Sequence, residues 1–363
     1  MPGSSGGTIL SVNPADISKS PGRFKWSLSG VDRAVDSAKS AFPAWSNSSL
    51  DNRIRILKKF RRILARRADR LSWTITEETG KAIWESKEEA TLLLSKIDNT
   101  IEQARRELAR TDAGPGLSCV FRPYGVAGVI GPFNFPLHLP HGHIVPALIA
   151  GNTVVFKPSD KACRVGQLYG ECAAASGFPR GVVNVVQGPA HAGGRLAAHP
   201  DVPLILFTGS YAVGLRIQDL TLRQPDKIPV LEMGGKNAAI VFADSDLPTA
   251  AAECARSAFL TAGQRCTSTS RIFVHRNIFD HFCSVFGSIA RSFRVGDPFD
   301  PENFCGPLIS GSAAKRAESA IREARRIGGS PILKGGRFNT GKGHFVRLSA
   351  HRFSKYPGRG RYG

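Results

Sequence analysis

The stretch GVAGVIGPFNFPLHLPHGHIVPALIAGNTVVFKPSD, residues 125–160, contains two short β-branched runs separated by a helix-like segment. GVAGVIG and NTVVFKPS have the length and composition of strands, and HIVPALIAG lies between them. The alternation continues downstream through three further strand-like runs, GVVNVVQG (181–188), PLILFTGS (203–210) and NAAIVFA (237–243). Strands that alternate with helices predict a parallel sheet covered on both faces, and therefore an α/β protein.

The region before this stretch has a different periodicity. Apolar residues recur three and four positions apart, which predicts amphipathic helices. The segments with this spacing are VDRAVDSAKSAFPAW (31–45), RIRILKKFRRILARRADRLSWTI (53–75) and EEATLLLSKIDNTIEQARREL (88–108). With 363 residues, of which 42% are hydrophobic, the chain is long enough for two or three domains.

The chain is strongly basic, with a formal net charge of +20. The excess is spread along the sequence: pairs such as Arg61-Arg62 and Arg105-Arg106 occur within helical patterns alongside acidic residues. No basic stripe interleaved with aromatic residues is visible, so we expect no nucleic-acid partner. The remaining use for this charge is attraction of a small anionic substrate.

The sequence has no apolar run long enough to span a bilayer, and its first residues do not resemble a signal peptide. We therefore expect a cytoplasmic location and no membrane partner. The seven cysteines include no C-x-x-C pair, so we expect neither disulfides nor a metal site.

Two strand ends are candidate ligand sites, because α/β sheets bind ligands beyond the carboxyl ends of their strands. LILFTGS (204–210) brings Gly209 and Ser210 to the predicted start of a helix, where backbone N–H groups favour a phosphate. VVFKPSD (154–160) places Lys157 at a strand end. By itself, FTGS fits an ordinary strand-to-helix turn as well as a pyrophosphate site. Lys157 by itself is more typical of an exposed lysine at a strand end than of a ligand contact. Gly209 and Gly214 have the glycine spacing of a P-loop, but Leu215 and Arg216 stand where a P-loop needs Lys and Ser or Thr, which argues against a P-loop here.

Five motifs in register change this interpretation. They are GPFNFP (131–136), FKPS (156–159), FTGS (207–210), LEMGG (231–235) and GQRCTSTSR (263–271). Together they resemble the aldehyde dehydrogenase superfamily, and the resemblance extends from about Val31 to residue 310. The run HLPHGHIVPAL (138–148) is most similar to the branch that oxidises an N-succinylated semialdehyde in bacterial arginine catabolism.

The resemblance implies an NAD(P)-dependent oxidation of an aldehyde to a carboxylic acid. Cys266 matches the nucleophile, whose thiolate attacks the aldehyde carbon. Its backbone N–H and the side-chain amide of Asn134 match the oxyanion hole. Glu232 matches the general base that activates water. Without the motifs, Cys266 is more typical of a small core residue, Asn134 of a turn and Glu232 of the surface.

The resemblance also implies a nicotinamide cofactor, NAD with NADP as a possibility. Lys157 matches the lysine that binds the adenosine ribose, and Asp160 stands where the family often has glutamate. Gly209 and Ser210 match the pyrophosphate turn. The complete set of candidate cofactor contacts is Lys157, Ser159, Asp160, Gly209, Ser210 and Gly234.

The implied architecture is a Rossmann-like cofactor domain over residues 1–231, with a β-hairpin near 114–125, and a partial catalytic domain over 232–340. The family's Glu-x-Phe-Gly-Pro segment and its oligomerisation strand have no counterpart here. Residues 341–363 lack acidic residues and regular periodicity, so we expect a disordered basic tail. We also expect impaired assembly of the homo-oligomer that the family forms.

Three functions therefore compete. The first is an aldehyde dehydrogenase acting on a small anionic aldehyde. The second is a catalytically impaired family member that retains only nucleotide binding. The third is a basic nucleic-acid-associated protein, which the motif chemistry disfavours.

Overall fold

The computed structural model describes residues 5–109, 111–338 and 342–354. The helices are α1 (Leu28–Ser46), α2 (Leu50–Arg66), α3 (Ala68–Thr79), α4 (Ile83–Glu107), α5 (His138–Ile149), α6 (Cys163–Ala175), α7 (Ala190–Ala198), α8 (Tyr211–Thr221), α9 (Leu247–Phe259), α10 (Phe279–Ser292) and α11 (Gly311–Arg326). The strands are β1 (Gly6–Ser11), β2 (Gly22–Ser27), β3 (Thr111–Gly114), β4 (Leu117–Cys119), β5 (Val126–Ile130), β6 (Thr153–Lys157), β7 (Val183–Val185), β8 (Leu204–Gly209), β9 (Ile228–Met233), β10 (Asn237–Val241), β11 (Thr269–Val274), β12 (Ser330–Arg337) and β13 (Val346–Arg352).

The three helical segments predicted near the N-terminus are present. The second is divided into α2 and α3 at Arg67, whose φ of −107° and ψ of 11° interrupt the helical backbone. The apolar stripes of these helices enter a core with the fully buried side chains of Trp45, Phe60 and Leu93. Burial of these stripes stabilises the helices more than their intrinsic propensities do.

A five-stranded sheet has the order β7-β6-β5-β8-β9, and every pairing in it is parallel. All five residues of β5 and all five of β6 are buried, as expected for strands covered on both faces. The predicted parallel α/β fold is confirmed. NAAIVFA does not extend this sheet, because β10 pairs with β11 in a separate parallel sheet. The fifth strand is instead β9, which contains part of the LEMGG motif.

The chain forms two compact units. The first comprises Met1–Ser11, Ser20–Glu78 and Ser86–Met233, and the second Val12–Lys19, Thr79–Glu85 and Gly234–Gly363. The last crossing between the units, at 233/234, lies two residues after the sequence-based boundary at 231/232, and two early segments, Val12–Lys19 and Thr79–Glu85, belong to the second unit.

Those early segments belong to the second unit because specific contacts hold them there. Ile17 N–H donates to Lys342 O (2.8 Å), and Ile83 N–H donates to Pro298 O (2.8 Å). Gly80 has a φ of +72°, and a Cβ at that position would lie 2.7 Å from Pro307 Cγ. Contacts over such sequence separations leave no local pattern from which they could be predicted.

Two finer expectations need correction. The hairpin expected near 114–125 is formed by β3 and β4, so it starts earlier and ends at Cys119. The tail expected to be disordered over 341–363 includes β13, which pairs antiparallel with β12. The half-buried side chains of Leu348 and Ala350 on β13 pack against the core of the second unit, which gives this basic segment a regular structure. Residues 355–363 lie outside the described residues.

Among the residues that the structure describes, no helix is both long enough and apolar enough to cross a membrane.

Candidate active site

The sheet of the first unit has a topological switch point beside β5. The chain moves from β5 to β6 and β7 on one side, and then to β8 and β9 on the other. The connections that leave the carboxyl ends of β5 and β8 therefore run in opposite directions, and α/β sheets commonly bind ligands at such a position. GPFNFP follows β5, and FTGS spans the end of β8.

Lys157 is the last residue of β6, and it is only 5% exposed. Its ammonium donates to the Pro158 carbonyl oxygen (2.7 Å), and no carboxylate in the described ranges forms an ion pair with it. Burial lowers the pKa of Lys157, and the nearby charge of Asp160 offsets part of that effect. A buried ammonium with a neutral backbone partner and further N–H donors fits a ligand that presents hydroxyl or anionic oxygen atoms.

Ser159 and Asp160 continue from β6 toward solvent. Ser159 Oγ donates to Asp160 Oδ1 (3.5 Å) and accepts from the Lys161 N–H (3.2 Å). The Asp160 side chain is 43% exposed, with one oxygen 3.9 Å from Lys161 Nζ. The carboxylate is therefore accessible beside Lys157.

Gly209 and Ser210 form the turn between β8 and α8. A Cβ at Gly209 would lie 2.5 Å from Cζ of Phe207, so packing within the strand already requires glycine at this position. Ser210 is the N-cap residue of α8, and its side chain makes no capping hydrogen bond. The first N–H groups of α8 can therefore interact with an anion.

Glu232 lies on β9 opposite Thr208 of β8, and its side chain is exposed. His143 on α5 approaches the same pair, with Nε2 3.3 Å from Thr208 Oγ1. Burial lowers the pKa of His143, and the charge of Glu232 opposes the shift. The imidazole and the carboxylate are therefore close enough to interact, a relationship that sequence reasoning missed.

Asn134 is half-buried in the segment between β5 and α5. Its Oδ1 accepts from the Phe135 N–H (3.0 Å), so the acceptor end of the amide faces its own backbone. Asn134 and Glu232 both belong to the first unit, whereas Cys266 and Gly234 belong to the second.

Cys266 is exposed on the loop between α9 and β11. The loop begins with a 3₁₀ turn, Leu260–Gly263, in which Thr261 and Ala262 have φ angles of 54° and 53°. A left-handed conformation costs non-glycine residues roughly 1–2 kcal/mol each. Gly234, predicted as a cofactor contact, lies in the connection between β9 and β10 with open space where a Cβ would be.

The arginines that flank Cys266 are engaged elsewhere. Arg265 Nη2 lies 2.6 Å from Glu85 Oε1, and Arg271 Nη2 donates to the Lys236 carbonyl oxygen. From sequence proximity alone, both arginines would add positive charge beside the thiol, and Arg265 would be a candidate contact for substrate carboxylates. The contact with the buried Glu85 instead holds the Arg265 side chain against the protein and stabilises the loop that carries Cys266.

Five of the seven cysteines are buried, and only Cys119 and Cys266 are exposed. Burial raises the pKa of Cys163 to about 12 and that of Cys305 to about 12. Thiolate character and access decide cysteine reactivity, so these two residues are inert. Cys119 on β4 is the other exposed thiol, and it lies outside every motif identified in the sequence.

Known proteins match most of this chain in sequence and in fold. A sequence profile described as the aldehyde dehydrogenase family matches residues 2–349. N-succinylglutamate 5-semialdehyde dehydrogenase from Burkholderia mallei (strain SAVP1) is 40% identical over 336 residues, 89% of this chain and 69% of the relative. The corresponding enzyme from Burkholderia thailandensis is 39% identical over 341 residues, which cover 91% of this chain and 70% of that relative.

Solved structures give the same result. A mutant of aldehyde dehydrogenase C from Pseudomonas syringae, in complex with NAD+ and octanal, superimposes with a TM-score of 0.91 at 28% identity, covering 95% of this chain and 72% of that one. A putative aldehyde dehydrogenase from Burkholderia cenocepacia has a TM-score of 0.89 at 36% identity, with coverages of 94% and 72%. The five motifs, the parallel sheet and these matches together establish that the chain belongs to the aldehyde dehydrogenase family.

Proposed function

We propose that the chain oxidises an aldehyde to a carboxylic acid through a covalent bond to Cys266. The observation that carries the proposal is the exposure of Cys266 on a loop held in an unusual backbone conformation, while five other cysteines are buried. Strained backbone concentrates at functional sites. Cys119, the other exposed cysteine, lies on a short hairpin strand outside the five motifs.

The Cys266 thiolate forms a carbon–sulfur bond with the aldehyde carbon, and the carbonyl oxygen becomes an oxyanion, stabilised by the Cys266 N–H and the Asn134 amide. Loss of hydride from that carbon leaves a thioester on Cys266. Glu232 removes a proton from water, whose oxygen attacks the thioester carbon. The carbon–sulfur bond then breaks, which releases the acid and regenerates the thiolate.

The residues at the carboxyl ends of β6 and β8 suit a dinucleotide. Lys157 offers a buried ammonium, and the start of α8 offers backbone N–H groups for a pyrophosphate. When bound there, a nicotinamide cofactor supplies the hydride acceptor. We assign Lys157, Ser159 and Asp160 to the adenosine ribose and Gly209 with Ser210 to the pyrophosphate.

We propose NAD rather than NADP as the cofactor. Asp160 presents an accessible carboxylate beside Lys157, and such a group accepts hydrogen bonds from ribose hydroxyls but repels a 2′-phosphate. The expected result is a higher kcat/KM with NAD than with NADP. In the Asp160→Ala variant, the ratio of kcat/KM with NAD to kcat/KM with NADP is expected to fall at least tenfold. An unchanged preference in this variant contradicts the assignment.

We propose N-succinylglutamate 5-semialdehyde as the substrate. The support is the name shared by relatives 39–40% identical to this chain. The net charge of +20 is consistent with a substrate that carries two carboxylates, because a basic surface raises the local concentration of an anion. In that case kcat/KM falls as ionic strength rises, while kcat changes little.

The test measures NADH formation from this semialdehyde and from a panel of uncharged aliphatic aldehydes. Cys266→Ala is expected to abolish turnover, whereas Cys119→Ala, the matched exposed cysteine, leaves it intact. Turnover that survives Cys266→Ala contradicts the covalent mechanism. A faster reaction with uncharged aldehydes contradicts the substrate assignment. Nucleotide binding without any turnover by the wild type indicates a family member that retains cofactor binding alone.

A further inference from the structure

Glu85 is a buried carboxylate at the start of α4, and it belongs to the same unit as the Cys266 loop. It accepts from the Thr261 N–H (3.1 Å to Oε2), the Thr261 hydroxyl (2.7 Å to Oε1) and Arg265 Nη2 (2.6 Å to Oε1). Arg265 Nε also donates to Thr261 Oγ1 (2.8 Å), which closes a ring of contacts among the three residues. The side chain of Glu85 is only 2% exposed.

These contacts fall on the part of the loop with unusual backbone geometry. Thr261 is β-branched, and φ of 54° is an outlier for such a residue. Such a conformation persists only when its surroundings over-determine it. Glu85 receives both the backbone N–H and the side-chain hydroxyl of Thr261, so it fixes the backbone and the side chain of this residue together.

The turn determines the direction in which the chain approaches Cys266. Thr261 precedes Cys266 by five positions, and Arg265, the second residue that Glu85 holds, is directly adjacent to it. On the other side, Asn237 Nδ2 donates to the Cys266 carbonyl oxygen (2.6 Å). Cys266, with its thiol and N–H, therefore lies between two hydrogen-bonded contacts, one made by Glu85 and the other by Asn237.

We propose that Glu85 is a positioning residue for Cys266: by holding Thr261 and Arg265, it sets the orientation of the thiol and of the adjacent N–H. The inference rests on the proposed function, in which Cys266 is the nucleophile. A carboxylate suits this task because both of its oxygens accept hydrogen bonds, and the three groups that contact it are donors. An amide at position 85 would turn an NH2 group toward a donor and would leave a buried group unsatisfied.

The first experiment compares Glu85→Gln with Glu88→Gln, which changes an exposed glutamate on the same helix. Glu85→Gln is expected to lower kcat by about 10- to 100-fold, since small displacements of reacting groups have effects of that size. The affinity for NAD stays within twofold, because the candidate nucleotide contacts on β6 and β8 do not involve Glu85. Glu88→Gln is expected to match the wild type.

A rescue experiment separates positioning from general destabilisation. Glycine adopts a left-handed φ without strain. Adding Thr261→Gly to Glu85→Gln is therefore expected to recover at least one third of the decrease in log kcat. If Glu85→Gln does not fold, Thr261→Val provides the test, because it removes the hydroxyl donor and leaves the Glu85 side chain in place. We expect a three- to tenfold lower kcat for that variant.

Iodoacetamide labelling gives a readout independent of turnover. The ratio of Cys266 to Cys119 labelling is expected to change at least threefold in Glu85→Gln and not in Glu88→Gln. Unchanged kcat together with an unchanged labelling ratio overturns the proposal, as does a loss of kcat that Thr261→Gly fails to relieve. Failure of the covalent mechanism itself is recognised separately, by activity that survives Cys266→Ala.

Discussion

Asn237 Nδ2 donates a hydrogen bond to the carbonyl oxygen of Cys266 at 2.6 Å, and the same nitrogen lies 3.3 Å from the carbonyl oxygen of Ser268. Asn237 is the first residue of β10, which pairs in parallel with β11. One side chain on a strand therefore holds two carbonyl groups of the loop that carries the candidate nucleophile.

Asn237→Ala removes this support without changing Cys266 itself. A hydrogen bond of this kind contributes about 1 kcal/mol, so we expect kcat to fall about fivefold if the orientation of Cys266 limits the rate. Steady-state NADH formation measures the effect. Ser270→Ala, which removes a hydroxyl that donates to the Asn237 carbonyl oxygen, is the neighbouring control and is expected to have a smaller effect. Equal activity of Asn237→Ala and the wild type argues against a role for this contact.

Lys157→Met tests the nucleotide site while preserving most of the buried volume. Losing a charge-assisted hydrogen bond costs about 1.5–3 kcal/mol, so the Kd for NAD is expected to rise roughly 10- to 100-fold. Titration of the protein's tryptophan fluorescence with NAD measures the Kd. Lys161→Met, at a side chain that is 52% exposed, is the control. If both variants bind NAD like the wild type, Lys157 is not a cofactor contact.

His141 makes the stability of the first unit depend on pH. It is fully buried between the Tyr169 hydroxyl (2.8 Å) and the Leu93 carbonyl oxygen (3.0 Å). Burial lowers its pKa from 6.5 to about 3. The unfolded chain therefore binds the additional proton between these values, and stability falls as the pH drops below 6.5. Glu78, whose pKa is raised by burial, acts in the opposite sense.

His141→Gln is expected to lower the free energy of unfolding at pH 7.5 by about 1–3 kcal/mol, because it disturbs two buried hydrogen bonds. Between pH 7.5 and pH 5 the wild type loses about 2 kcal/mol more than the variant, as one titrating group of this shift requires. Urea unfolding at both pH values measures the difference. Parallel pH profiles would assign the acid sensitivity to other groups.

Phe60 lies at the centre of the core of the first unit, edge-on to Tyr169 and Phe178. It is 1% exposed, so Phe60→Ala leaves a cavity and is expected to lower the free energy of unfolding by about 3–5 kcal/mol. Chemical denaturation followed by circular dichroism measures this loss. Leu92→Ala, at an exposed leucine on α4, is the control and is expected to change stability by less than about 0.5 kcal/mol.

Local patterns predicted the parts of the fold that depend on short-range periodicity. The runs around Val129 and Phe156 are buried strands because both of their faces are covered, and continuous apolar stretches report this directly. The helix over 88–108 was predictable from its apolar stripe. NAAIVFA has an equally strong strand pattern, but the pattern does not determine which sheet a strand joins.

The residues of the candidate site also fall into two groups, those that a local motif indicates and those that depend on long-range contacts. Cys266, Asn134 and Glu232 could be named as candidates from the sequence because each lies within a short motif. Glu85 could not, because its role depends on contact with residues far away in the sequence. The direction of the Arg265 side chain was equally unpredictable, because adjacency to Cys266 does not determine where the side chain points, and the structure shows a contact with Glu85.

The contact between Glu85 and Arg265 joins residues 180 positions apart in the chain. Closing so long a loop is entropically costly, and folding steps that depend on such contacts are slow compared with local helix formation. During refolding, helical circular dichroism therefore recovers first, and the nucleophile loop reaches its final conformation afterwards. If Cys266 is the nucleophile, we expect NADH formation to recover after helical circular dichroism during refolding, and the delay between these two signals to measure the formation of this contact.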